Sequence, residues 1–169
     1  MSTMEINIRP AKLEDLDNIN RVIEEAIMTW NLPERVKRLS LSSYLYTSID
    51  FDHLDIVVSE DDTHGIVGVA AWEQADANDV PEGKTALLLH GIYVDPSHHH
   101  QGIGQQLLKR AEQAVLHYNF DALLVKAQSG AEGFFQKQGM RLLPIENTER
   151  HYAGRYWKIV TTIGRGERI

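Results

Sequence analysis

Residues 84–115 read as a strand, a short polar loop and an amphipathic helix, and no other stretch limits this chain as much. Residues 84–94, KTALLLHGIYV, are an apolar, partly β-branched run of strand length, and Asp95 and Pro96 end it. The loop Ser97, His98, His99, His100, Gln101, Gly102, Ile103, Gly104 follows, and from Gln105 the pattern is helical. Ile103, Leu107, Leu108, Ala111, Ala114 and Val115 recur at three- and four-residue spacing and mark one apolar helix face. Gly102 and Gly104 therefore lie where a loop feeds the first turn of a helix. Free backbone N–H groups and the positive dipole end make an anion site there, and glycine lets a phosphate approach the backbone closely. A phosphate-bearing ligand is expected before any side chain is considered.

The flanking residues choose among three phosphate-binding designs. A Walker-type loop needs Lys and Ser/Thr directly after its last glycine, and this chain has Gln105 and Gln106. A dinucleotide fingerprint needs a third glycine where Leu107 stands, and an acid ending the next strand, whereas Asp121 begins one. What remains resembles the coenzyme A pyrophosphate loop of the GNAT superfamily of acyl-CoA N-acyltransferases. That pattern is a strand ending in Val-x-Pro, then Arg/Gln-x-x-Gly-x-Gly/Ala. Val94, Asp95 and Pro96 match it, followed by His99, His100, Gln101, Gly102, Ile103 and Gly104. Two departures stand out: His99 replaces the usual Arg or Gln, and His100 sits where glycine is common.

A second segment is similar to the family's other signature. Residues 121–127 read as a strand, and 131–138 as a short helix stopped by Gly139. The family carries Asn-x-x-Ala-x-x-Phe-Tyr and then Gly-Phe. Ala131, Phe134 and Gly139 match; Gln128 replaces the Asn, Phe135 the Tyr and Met140 the aromatic.

The rest of the chain fits one domain, residues 1–169, with no repeat or linker to divide it. A strand is expected at residues 6–8, then a helix over 11–29 with Leu16, Ile19, Val22, Ile23 and Ala26 inward, and a more irregular helical region over 32–47. Residues 54–58 and 65–72 read as a hairpin joined by the acidic turn of Glu60, Asp61 and Asp62. Further strands are expected near 140–144 and at 155–162. The order β-α-α-β-β-β-α-β-α-β-β is that of the GNAT fold, an α/β (α+β) architecture with a central mixed β-sheet flanked by helices.

Composition narrows the setting. There is no cysteine, which removes disulfides, thiol nucleophiles and thiolate zinc sites. No signal peptide or long apolar span is seen, so a cytoplasmic protein without membrane association is expected. A formal net charge of −7 disfavours nucleic acid and would suit a cationic acceptor.

The resemblance implies acetyl-CoA as cofactor and direct attack of a primary amine, small-molecule or peptide, on its thioester. It implies that the backbone of Ile92, Tyr93 and Val94 meets the acyl and pantetheine arm. Residues His99, His100, Gln101, Gly102, Ile103, Gly104 and Gln105 would grip the pyrophosphate, with Gln128, Phe134 and Phe135 completing the cofactor set. Gly91 is a plausible bulge position in the strand that supplies the arm's backbone partners. Protonated loop imidazoles would tighten cofactor binding at lower pH.

An alkylamine must lose a proton near neutral pH, a task that suits the imidazole side chain as a class, which makes His90 the candidate base. In position it resembles a histidine that arylalkylamine-type members use to relay a proton through water. Leu88 occupies the position of the glutamate base of histone-type members, so that version of the mechanism is absent. Glu24 and Glu25 are rival bases. The thiolate's usual proton donor is the tyrosine that Phe135 replaces; Tyr93, Tyr152 or Tyr156 could substitute. Trp30, Leu32, Tyr44, Tyr46 and Tyr152 could wall the acceptor pocket.

Adjacent side chains on a loop rarely converge on one ion, so no metal is expected at His98, His99 and His100. Three functions stay open: an N-acetyltransferase, a catalytically weak acyl-CoA-binding or sensor domain, and a nucleotide-binding protein that meets the motif by chance. A homodimer is compatible with the first.

Overall fold

The computed structural model describes residues 6–127, 130–146 and 154–161. Its elements in chain order are β1 (Ile6–Pro10), α1 (Leu16–Met28), α2 (Glu34–Tyr44), α3 (Asp50–His53), β2 (Asp55–Asp61), β3 (Gly65–Gln74), β4 (Ala86–Val94), α4 (Ile103–His117), β5 (Ala122–Lys126), α5 (Glu132–Lys137), β6 (Arg141–Leu142) and β7 (Arg155–Ile159). The strands make one seven-stranded sheet in the order β1-β2-β3-β4-β5-β7-β6. It is mixed: β4 and β5 run parallel, and β5 and β7 antiparallel. The architecture is the α/β one expected, with one short helix more. The one-turn α3 is too brief to show an apolar period; the Asp50 side chain holds it by accepting from Thr47 N–H at 2.8 Å.

The contacts divide the chain into two compact units. One holds residues 6–71 and 91–108, the other 72–90 and the described residues from 109 onward.

In the first unit, α1 buries Ile19, Val22, Ile23, Ala26 and Ile27 against Ile56 and Val58 of β2 and Ile66 and Val69 of β3. Recurrence every three to four residues puts those side chains on one helix face. Full burial of one such aliphatic side chain is worth about 1.5–3 kcal/mol. Polar ties then set the angle of α1. Asn20 both donates to Tyr46 O and accepts from Tyr46 N–H, each at 2.9 Å. Lys37 Nζ donates to Met28 O at 2.7 Å and so answers a carbonyl left open at the end of α1. Arg9 joins Asp15 at 2.9 Å to Glu60 at 3.0 Å. Its hydrogen bonds hold both carboxyls below their usual range.

One glycine of this unit decides where α4 begins. A Cβ on Gly68 of β3 would stand 3.0 Å from Ile103 Cγ2 and 3.1 Å from Leu107 Cδ1. The bare backbone at Gly68 therefore seats the first turns of α4 directly on β3, and Ile103 is buried as a result.

In the second unit, Ala75, Ala86, Ala122, Leu124 and Trp157 form a small core with Val80, Leu88 and Leu143 packed on it. Arg155 crosses between loops, donating to Asp79 O at 2.7 Å and Pro144 O at 2.9 Å. Lys158 Nζ reaches Glu112 and Gln138 O, both at 3.0 Å. Gly139, at φ 88°, turns the chain out of α5 as its position after the helix predicts.

Candidate functional site

The loop between β4 and α4 is shaped by its backbone. Asp95 accepts from Ser97 N–H at 3.0 Å and from Ser97 Oγ at 2.7 Å, capping a 3-10 turn at Pro96–His98. Burial pushes the Asp95 carboxyl up, but hydrogen bonds from the Ser97 hydroxyl and amide together with nearby positive charge, Arg21 included, outweigh it and hold the carboxyl below its usual range. Arg21 of α1 lies 3.6 Å from Asp95 and donates to Ile66 O at 3.1 Å. The far end of the loop turns through two left-handed residues, His100 at φ 65° and Gly102 at φ 80°. That conformation is free for glycine and costs a side-chain-bearing residue about 1–2 kcal/mol, so His100 carries strain that a glycine there would avoid.

Gln106 N–H closes the first turn of α4 onto Gly102 O at 3.0 Å. The amides of Ile103, Gly104 and Gln105 precede that bond and stand at the helix's positive end. Gly102 and Gln105 are exposed and Gly104 is half-buried, while a Cβ at Gly102 would meet nothing within 4 Å. Backbone donors, open space and a helix N-terminus together suit a diphosphate, so the residues present fit the cofactor that the motif implies. His99, His100 and Gln101 are exposed. His99 Nε2 lies 3.2 Å from Val94 O; the carbonyl can only accept, so the ring donates.

Strand β4 leads into this loop. Its register with β5 runs from Ala86 to Leu89, and it continues to Val94. It neighbours β3 in the sheet, and two hydrogen bonds bracket their pairing: Ala75 N–H to Ala86 O at 2.9 Å and Asp95 N–H to Val67 O at 2.8 Å. Between them β3 advances eight residues, from Val67 to Ala75, and β4 nine, from Ala86 to Asp95. One extra residue on one strand is the count of a β-bulge, and the stretch contains Gly91. Gly91 also answers to packing, because a Cβ there would meet the Tyr93 ring and hydroxyl at 2.9 Å. Ile92 and Val94 are half-buried, and Tyr93 is buried in the core with Tyr46. Burial, and then Tyr44, push the Tyr93 phenol well above its usual value.

His90 belongs to the second unit, where its Nε2 meets Glu73 Oε2 at 2.5 Å, with both side chains partly open to solvent. Glu73 was not legible as a site residue. It lies 17 positions from His90, and its one sequence signal is that it is the first charge after the apolar run of β3. Glu24 and Glu25 are exposed on α1, and Glu25 pairs with Arg21 at 3.4 Å.

Phe134 and Phe135, also in the second unit, pack edge to face at 5.2 Å, with Phe135 buried. Gln128 and Tyr152 lie outside the described residues. Of the proposed acceptor walls, Trp30 and Tyr44 meet edge to face at 5.3 Å, Tyr46 is buried, and Leu32 is exposed. No helix among the described residues is long and apolar enough to cross a membrane.

A family model described as an acetyltransferase (GNAT) domain matches residues 52–141. Among solved structures, the chain resembles PaiA N-acetyltransferase from Thermoplasma acidophilum in complex with coenzyme A. The identity is 18% and the TM-score 0.69, over 92% of this chain and 99% of that one. A GCN5-related N-acetyltransferase from Rhodopseudomonas palustris gives 17% identity and a TM-score of 0.72, over 94% and 99% of the two chains. A GNAT family acetyltransferase from Brucella melitensis in complex with acetyl-CoA gives 15% and 0.62, over 93% and 89%. Comparison with curated protein sequences finds no match.

Proposed function

The chain belongs to the GNAT acetyltransferase family, and from that premise we propose that it transfers an acetyl group from acetyl-CoA to a primary amine. The observation that carries this reading is the start of α4, where the first helix amides follow the left-handed turn at the exposed Gly102. When bound, acetyl-CoA supplies an activated acetyl thioester. Residues 99–105 would hold its diphosphate through backbone N–H groups, and the backbone of Ile92, Tyr93 and Val94 would orient the arm and polarise the thioester carbonyl.

His90 is the base in this reading. Glu73 can only accept when ionised, so it takes the Nε2 proton and leaves Nδ1 as the lone pair that removes a proton from the amine, directly or through one water. The carboxylate also stabilises the imidazolium that forms, as the acid of a catalytic triad does. Tyr93 keeps its proton at neutral pH. A phenol pushed up by burial is a poor proton donor to a thiol of pKa about 8.5, so Tyr93 would offer a hydrogen bond to the departing thiolate, and solvent would supply the proton. Phe135 has no hydroxyl for either task, which favours, as a second reading, a domain that binds acyl-CoA with little turnover.

Thermal unfolding with acetyl-CoA, NAD and ATP tests the cofactor. At 100 times its dissociation constant a ligand adds about 2.7 kcal/mol, which raises Tm by roughly 5–10 °C at this size. A rise with acetyl-CoA alone is expected; a larger rise with NAD or ATP overturns the reading. Turnover across a panel of amines then separates the enzyme from the binding domain.

A further inference from the structure

Asp61, His64 and His98 come together in the first unit from three places: the end of β2, the turn into β3, and the 3-10 turn after β4. Their ligand atoms all lie within 4.8 Å of one another. Asp61 is 4% exposed and His98 6%, while His64 is open to solvent. Thr63 N–H occupies Asp61 Oδ1 at 2.8 Å, so Oδ2 is the oxygen that meets both rings. It stands 2.9 Å from His64 Nδ1 and 3.4 Å from His98 Nε2.

The protons around His98 leave a position for a cation. Ser97 Oγ is 2.7 Å from Asp95 Oδ1, and a carboxylate only accepts, so the hydroxyl hydrogen goes there. Ser97 Oγ then accepts from His98 Nδ1 at 3.2 Å, which places the His98 proton on Nδ1. In the neutral ring Nε2 is a bare lone pair, and it faces an anionic oxygen in a buried site. Two acceptors placed so are unfavourable without a positive charge to share. A divalent ion held tetrahedrally at 2.0–2.2 Å sets neighbouring ligand atoms about 3.3–3.6 Å apart, as His98 Nε2 and Asp61 Oδ2 already stand. The exposed His64 ring has to draw back from its 2.9 Å contact to admit the ion. A metal-binding histidine commonly anchors its other ring nitrogen, as Ser97 does for Nδ1 here.

We propose that Asp61, His64 and His98 bind one divalent transition-metal ion of the zinc type. Two imidazoles and one carboxylate suit zinc, cobalt or nickel and not calcium or magnesium, which select all-oxygen sites. Water completes the fourth position on the open side of His64. The ion ties the β2–β3 turn to the segment that enters the loop at residue 98. This proposal stands apart from the acetyl-CoA reading, because none of its three ligands is in the cofactor or catalytic set.

The test is titration of tag-free, EDTA-treated protein with Co²⁺, followed by displacement with Zn²⁺. The expected result is one equivalent bound, with the visible absorption of four-coordinate cobalt, and a Tm that rises with Zn²⁺. His64→Ala removes the exposed ligand without touching the core and should weaken binding at least about 10-fold, as should Asp61→Asn. His100→Ala should leave it unchanged. No stoichiometric binding by the parent protein overturns the proposal. So does binding that survives both ligand substitutions, or binding that His100→Ala abolishes.

Discussion

In the proposed reaction the loop at residues 99–105 and the His90–Glu73 pair would act through different parts of the polypeptide. The loop would work through its backbone, with its left-handed turns and helix amides after the capped 3-10 turn, and its side chains are mostly exposed. The pair would work through two side chains held by the strands that carry them, 2.5 Å apart. A backbone device tolerates odd side chains as long as the dihedral angles are reachable, which is how His99 and His100 can stand where the family has other residues. A side-chain device tolerates none at the reacting atoms.

The largest effect that would sharpen this contrast is expected from His90→Ala, which should lower kcat about 10²–10⁴-fold while acetyl-CoA affinity holds. Glu73→Gln keeps the hydrogen bond but not the charge, and should cost roughly 10-fold alone and nothing further in the His90→Ala background. An unchanged rate in His90→Ala would remove the pair from the mechanism.

Gly91→Ala comes next. Its Cβ must displace the buried Tyr93 ring, at a cost of about 1–3 kcal/mol measured by chemical denaturation. Stability equal to the parent's would mean that the ring moves freely.

Gly102→Ala and Gly83→Ala break the comparison from the loop's side. Both glycines have positive φ, 80° and 77°, and open space for a Cβ, so each substitution should cost about 1–2 kcal/mol of stability. Only Gly102→Ala should raise the acetyl-CoA dissociation constant, by roughly 10-fold if about 1.4 kcal/mol of the strain or misplacement falls on the bound loop. Equal affinities in the two variants would show that the loop backbone does not hold the cofactor.

The smallest effect lies away from both regions. Arg9 hydrogen bonds hold the Asp15 and Glu60 carboxyls low in the folded protein. Their stabilisation is therefore present above the unfolded values, roughly pH 4, and is lost as pH falls through the folded ones. Arg9→Met should cost about 1 kcal/mol at pH 7, and the two stability curves should converge as pH falls below the lowered folded values. A constant gap between them would assign the loss to packing.

The sequence by itself determined the loop and the order of elements, apart from the one-turn α3. Apolar spacing in α1 and α4, the stop at Asp95 and Pro96, and Gly102 before the helix are local properties of the backbone, written within a few residues of where they act. Tertiary structure alone decided what meets across the chain. Glu73 reaches His90 from another strand, Gly68 seats α4, the Tyr93 ring claims the space above Gly91, and Asp61 gathers His64 and His98. None of these has a sequence period, because strand register and the extra residue of β4 set the distances. The run His98, His99, His100 shows both sides: as neighbours the three rings cannot share an ion, while the fold buries His98 alone and turns it toward a partner 37 positions away.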